Sequence, residues 1–138
     1  MRSEVSPTSS ALNYGYAVMR SVLARSVVSH GFITSVGLHH ENGYNEFNLV
    51  DDLIEPFRPI IDLQMLAVDL DAEDPANLSR NARREMTSVL HNACLIDGHI
   101  TSCRIAAEET VVSLKRAVEA RDAKLLQLPQ VLPLQKVG

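Results

Sequence analysis

Tryptophan is absent from the 138 residues, and only three tyrosines and three phenylalanines are present. A core with so few rings must be filled by aliphatic and alanine side chains, which favours packed helices over an all-β sandwich. No apolar run approaches the ~20 residues a helix needs to span a bilayer, so no membrane association is expected. The opening Met1-Arg2-Ser3-Glu4 leads into polar residues rather than an apolar segment, and no secretory signal is expected. Cys94 and Cys103 stand nine apart without a CxxC pairing. Free thiols in a reducing cytoplasm are the expectation. The net charge of −4 excludes a uniformly basic nucleic-acid coat, but not a local basic patch. No internal repeat is visible.

What is present is 46% hydrophobic residues, enough for one domain with one core. Residues 1–10 read as a flexible lead with a helix start at Ser9 or Ser10. Leu12, Tyr16, Met19, Leu23 and Val27 recur at helical spacing, and Gly31 is a natural stop. Gly15 between two tyrosines is costly inside a helix and is explained if another backbone comes close there. A turn-rich loop follows over residues 31–47, long for a small domain and therefore a functional candidate. A second helix begins near Asn48, with a kink or broken turn at Pro56 and Pro59. Ala76 to Ala93 reads as a third helix after Asp74-Pro75. Asp97-Gly98 between apolar residues reads as a tight turn or very small hairpin. Ser102 to Arg121 is a strongly patterned helix with Ile105, Ala106, Val112, Leu114 and Val118 as core positions. The segment from Leu125 carries two prolines and reads as extended or disordered. The expected fold is all-α: four to five helices over residues 11–124, one tiny hairpin near residues 96–100, and a tail over 125–138.

The stretch GLHHENGYNEFNLVDDLIEPFRP, Gly37 to Pro59, concentrates chemistry-bearing residues. Asp52 and Glu55 are three apart, and Asp51 and Glu55 four apart, so a helix puts these carboxylates close together. Like charges at that spacing repel, and either a divalent cation or Arg58 would offset them. His40 in the preceding loop can fold back onto the same face. One imidazole with carboxylates is a mixed N/O set suited to Mg²⁺ or Mn²⁺. A solvated acidic helix start favoured by the macrodipole would have the same spacing. His39, His91 and His99 show no ligand spacing and read as structural or exposed. Arg20 and Arg25 are five apart, about 140° around a helix, and do not form one ridge. Arg80, Arg83 and Arg84 are followed by Glu85 and read as a solvated face.

Taken together, ALNYGYAVMRSVLARSVVSHGF, GLHH and DDLIEPFRP resemble the C-terminal helical domain of the CRISPR-associated integrase family (Cas-one), especially the branch found beside single-effector systems. IDGHITSCRIAAEETVVSLKRA resembles that family's turn and last long helix, and the resemblance runs from about Pro7 to about Leu128. It implies an endonuclease/integrase of CRISPR adaptation that joins short DNA segments into a repeat array. It also implies His40, Asp52 and Glu55 as catalytic residues, with His40 and Glu55 as ligands of Mg or Mn. Arg58 would lie beside the site, with Arg20, Arg25 and Arg58 as DNA contacts. DNA, the small companion adaptation protein (Cas-two) and further copies of the chain are the implied partners, in the cytoplasm.

The family's first metal-ligand Glu lies upstream of NYGY, and Glu4 is too close to stand in for it. The chain is therefore expected to be a truncated product, a split-gene fragment or a dissected domain. Without the full ligand set it is either a catalytic domain of low activity alone or a non-catalytic DNA- or partner-binding remnant. Such a piece is also expected to expose apolar surface around Leu12 and Tyr16 and to self-associate through its first helix.

Overall fold

The computed structural model describes residues 5–31 and 46–137. The loop residues that carry His39 and His40 lie outside the described residues.

Helix α1, Pro7–Ser29, begins ahead of the expected Ser9 or Ser10 because Ser6 is a complete cap. Its Oγ accepts from the Ser9 amide at 3.1 Å, and its own amide donates to Ser9 Oγ at 3.1 Å. Pro7 then occupies a first-turn position where a missing N–H costs nothing. The buried face is Ala11, Gly15, Met19, Leu23 and Val27, one residue every four. Around it pack α2 (Glu46–Leu53), α3 (Arg58–Leu66), α4 (Arg80–Thr87) and α5 (Cys103–Ala120). A 3₁₀ turn, Glu55–Phe57, interrupts the helix between α2 and α3 at the expected prolines. Phe57, Ile60 and Ile61 drive that segment into the core. Gly15 does admit a close approach: a Cβ there would lie 2.8 Å from both Ile61 Cγ2 and Met86 Cε.

Five α-helices are present among the described residues, but the all-α expectation is overturned by a three-stranded antiparallel sheet in the order β2-β1-β3. The strands are β1 (Asn92–Ile96), β2 (His99–Ser102) and β3 (Gln130–Lys136). The expected helix over Ala76 to Ala93 is confined to α4. A 3₁₀ turn at Ser88–His91 then ends it and β1 begins. Four of the five β1 residues are buried, and such a short buried run has no period that separates strand from helix. The Asp97-Gly98 turn is a true hairpin, with φ of 51° and 77° and Ile96 paired to His99. Those two positive values are what a two-residue hairpin needs, and Gly98 supplies the second at no steric cost. The proline-bearing tail forms β3 as an edge strand, where a missing donor is tolerated on the open side.

On α5 the buried face is Cys103, Ala106, Ala107, Thr110, Val111 and Ala117. Ile105 and Val118, expected in the core, are exposed, so the small residues face inward and let α5 lie close to α1. Cys94 and Cys103 are free and buried. Leu12 and Tyr16 are half-buried against the core rather than forming an open apolar face. No helix among the described residues is long and apolar enough to cross a membrane.

Thr110 is fully buried and its Oγ1 has no hydrogen-bond partner among the described residues. Desolvating a hydroxyl without a bond costs about 1–3 kcal/mol. Thr110→Val keeps the shape and removes the hydroxyl, so it is expected to stabilise the fold by about 1 kcal/mol. Urea denaturation reads this directly, and a lowered midpoint would show that the hydroxyl has a stabilising partner.

Candidate functional site

The carboxylates of the acidic stretch sit where the 3₁₀ turn joins α2 to α3. Asp51, Asp52 and Glu55 are exposed, and the backbone stays helical through Ile54, so Asp52 and Glu55 lie one turn apart. Leu53, Ile54 and Phe57, interleaved with them, are buried and fix that face outward. The like charges are offset by arginines. Arg58 Nε meets Glu55 Oε2 at 2.9 Å, and Arg20 Nη2 meets Asp51 Oδ1 at 2.8 Å. Arg58 also lies over the Tyr16 ring, 4.6 Å from its centroid, and the Tyr16 hydroxyl donates to Asp62 Oδ1 at 2.7 Å. Partial burial and the Asp62 bond push the Tyr16 phenol up, and the Glu55 bond raises the Arg58 guanidinium further.

The fold thus brings together Asp52, Glu55 and Arg58 and places Tyr16 and Arg20 beside them. It does not bring Arg25 there: Arg25 lines a small cleft with Arg104, Ser26 and Ser29 at the other end of α1. His40 lies outside the described residues. Two exposed carboxylates one turn apart have the donor chemistry of a hard divalent cation. No group of three or more candidate ligands converges among the described residues.

A second feature is the arginine cluster read in the sequence as a solvated face. Arg80, Arg83 and Arg84 of α4 line an open groove of about 440 Å³ with Tyr14, Thr87, Ser88 and His91. Arg83 Nη1 is anchored on the Leu78 carbonyl at 2.6 Å. Glu85, which would neutralise the cluster, is turned to Asn81 Nδ2 at 3.1 Å. Arg80 and Arg84 make no ion pair among the described residues. The cue available in the sequence was the density of charge: three arginines within five residues of one short helix, of which Arg80 at the start opposes its macrodipole and Arg84 in the last turn complements it. Ser79 holds that start regardless, accepting from the Ala82 amide at 3.1 Å. Glu73 in turn receives the Ser79 amide and hydroxyl at 2.8 and 2.7 Å.

A third cluster is His99 of β2 with Glu109 of α5, at 3.0 Å. The hydrogen bond to Glu109 raises the His99 pKa above its ordinary 6.5. The pair therefore contributes stability fully below about pH 6.5 and loses it as pH rises through the raised value. Amide exchange of the β1–β2 hairpin is expected to quicken from pH 6 to pH 8, after correction for intrinsic rates, in the native chain but not in Glu109→Gln. Equal behaviour of the two chains would remove His99 as the cause.

The chain matches the family model described as CRISPR associated protein Cas1 over residues 1–70. It is 34% identical over 135 residues to the CRISPR-associated endonuclease Cas1 of Neisseria meningitidis serogroup C (strain 8013). That alignment covers 98% of this chain and 44% of the relative. A Cas1 of Pyrobaculum aerophilum is 37% identical over 79 residues, covering 56% of this chain and 26% of the relative. A Cas1 of Saccharolobus solfataricus is 33% identical over 69 residues, covering 49% and 20%. The chain spans less than half the length of the curated relatives it matches. With half of its length in the family model and nearly all of it aligned to one Cas1, this chain belongs to the Cas1 family.

Proposed function

We propose that this chain is the helical, catalytic-type part of a metal-dependent DNA endonuclease/integrase of CRISPR adaptation. The observation that carries this reading is the exposed Asp52–Glu55 pair, held on a rigid turn beside Arg58 in a chain of the Cas1 family. The reaction class is transesterification. A DNA 3′-hydroxyl loses its proton and bonds to a target phosphorus, and the target's own P–O3′ bond breaks to leave a free 3′-hydroxyl. Cleavage of branched DNA is the reverse. His40 and Glu55, with Asp52 flanking them, would hold Mg or Mn, which when bound supplies Lewis-acid stabilisation of charge on the phosphoryl oxygens. Arg58, tethered by Glu55 and Tyr16, is placed to meet a phosphate at the same edge. The groove of Arg80, Arg83 and Arg84 offers a path for the DNA backbone. DNA, Cas2 and further copies of the chain are the partners this reading requires, in the cytoplasm.

A second reading is a module that binds DNA without turnover. It is favoured by the arginine groove, which is built from this chain's described residues, whereas three metal ligands are not.

The test is a Mn²⁺ and Mg²⁺ titration on branched DNA. It compares this chain alone with the chain joined to the upstream part of the Neisseria relative. Little or no cleavage is expected alone and metal-dependent cleavage when joined. His40→Ala and Glu55→Ala are each expected to lower the joined activity by at least about a hundredfold. Activity that survives both substitutions would sink the metal-site reading and leave the binding module.

A further inference from the structure

We infer that Lys136, at the end of the C-terminal strand, is a positioning residue for the arginine groove, acting through the Ser88–His91 turn that forms one wall of it. The inference rests on reading that groove as a nucleic-acid path.

Lys136 does not line the groove. Its Nζ donates to the Ser88 carbonyl, Ser88 Oγ and Gln64 Oε1, each at 3.0 Å, and also to Asn92 Oδ1. These acceptors come from α3, the 3₁₀ turn and β1. One ammonium group therefore ties three elements to β3 across 44 to 72 residues of chain. The acceptors are themselves linked. Gln64 Nε2 donates to the Glu85 carbonyl at 2.8 Å, and Asn92 Nδ2 donates to Gln64 Oε1 at 3.0 Å. Gln64 and Asn92 are both buried, so without the ammonium Asn92 Oδ1 would lose its donor away from water, while Gln64 Oε1 would keep only the Asn92 amide. The next residue adds a second tie: the Val137 amide donates to the His91 carbonyl at 2.8 Å.

A four-residue 3₁₀ turn is poorly held by its own hydrogen bonds. The Ser88–His91 turn is held from outside as well: Ser88 by Lys136, by Gln64 and by its own bond to the Glu85 carbonyl, Val89 by burial in the core, and His91 by Val137. Ser88 and His91 also line the groove, with Thr87 and Arg84. The geometry of the groove and the docking of the strand are thus one arrangement. Coupling of this kind is reciprocal: what holds the turn favours the ligand, and the ligand must favour the held turn by the same factor.

The experiment measures binding of a short branched DNA duplex as a function of salt, by fluorescence anisotropy, on the full chain. Lys136→Met removes the ammonium and keeps the stem. It is expected to weaken binding about tenfold, a usual size for coupling between separate sites, without changing the salt slope. A residue that touched phosphate would lower the slope by about 0.9. Lys136→Arg keeps the charge but cannot seat a planar guanidinium among those four oxygens, and is expected to weaken binding as much. Arg80→Ala is the control that lowers the slope. Should Lys136→Met fail to fold, amide exchange on the native chain still decides. Saturating DNA is expected to slow exchange at Val137, although Val137 lies outside the groove lining.

A lowered slope for Lys136→Met, native binding by Lys136→Arg, or Val137 exchange unchanged by DNA would each overturn the inference. If the native chain binds DNA and both Lys136 variants bind it as tightly as the native chain does, the inference alone falls. If the native chain does not bind DNA, the reading of the groove falls first.

Discussion

Gly15→Leu is expected to destabilise the chain by more than about 3 kcal/mol, a large part of the stability of a domain this size. The cause is the packing of α1 on α3 and α4. A Cβ at Gly15 would stand 2.8 Å from Ile61 Cγ2 and Met86 Cε, closer than carbon atoms approach. The methionine tip can swing away, but the isoleucine is branched at Cβ and leaves its rotamer only at a cost. Alanine has one offsetting gain, about 1 kcal/mol of helix propensity. Gly15→Ala is therefore expected to lose only about 1 kcal/mol net, overpacking outweighing propensity. Leucine adds three more carbons to a closed space and has no larger compensation. Urea denaturation of the two variants separates the terms, and a native midpoint for both would show that α1 can move outward freely. The consequence for function follows from the neighbours. Tyr14 faces the arginine groove and Tyr16 lies under Arg58, so displacing this turn of α1 disturbs both candidate surfaces at once.

The need for glycine at position 15 was legible in the sequence because a helix interior disfavours it, although the close neighbours are side chains rather than another backbone. The C-terminal end of α1, the ends of α5, the break at the two prolines and the Asp97-Gly98 hairpin were legible for the same kind of reason, each being a local rule, whereas the Ser6 cap was missed and α1 starts early. The sheet was not. β1 is short and buried, so its residues carry no alternation, and Ala93 and Cys94 extend the apolar pattern of the preceding helix. β3 holds Pro133 and exposed Val131 and Leu134, and it is a strand only because β1 offers an edge and Lys136 finds four oxygens. Those partners are distant in sequence and invisible to any window along it. The inward face of α5 was misjudged because large apolar residues were assigned to the core. At a close helix contact the small ones go inside, and Ile105 and Val118 are left at the surface.

The candidate site divides in the same way. The spacing of Asp52, Glu55 and Arg58 dictated their shared face, and Arg58 meets Glu55 as a neighbour three residues on. Arg20 and Tyr16 joined them only through tertiary packing. Arg80, Arg83 and Arg84 were read as a solvated face because Glu85 follows them. The fold removes that argument by giving Glu85 to Asn81 and its carbonyl to Gln64.

Replacing Arg80, Arg83 and Arg84 together by alanine is expected to weaken DNA binding about a hundredfold or more near 0.1 M salt, and to lower the salt slope by roughly 2 to 3. The reasoning is counterion release. Each guanidinium that neutralises a phosphate frees one condensed cation, and about 0.9 of the slope is lost with each such contact on duplex DNA. Arg80 and Arg84 are free to swing onto a backbone, while Arg83 is partly committed to the Leu78 carbonyl, so a slope loss nearer 2 than 3 is the expectation. The fold should survive. Alanine has the higher helix propensity, and removing Arg80 at the start of α4 relieves its macrodipole, offsetting the loss of Arg84 in the last turn. The Leu78 carbonyl then turns to water. Thermal unfolding of the triple variant is thus expected within a few degrees of the native chain while binding collapses. That pairing identifies the arginines as surface contacts rather than structural props. Affinity within about threefold of native at all salt concentrations, with the slope intact, would place the DNA path elsewhere. The Arg58 edge above Asp52 and Glu55 would then be the next surface to test.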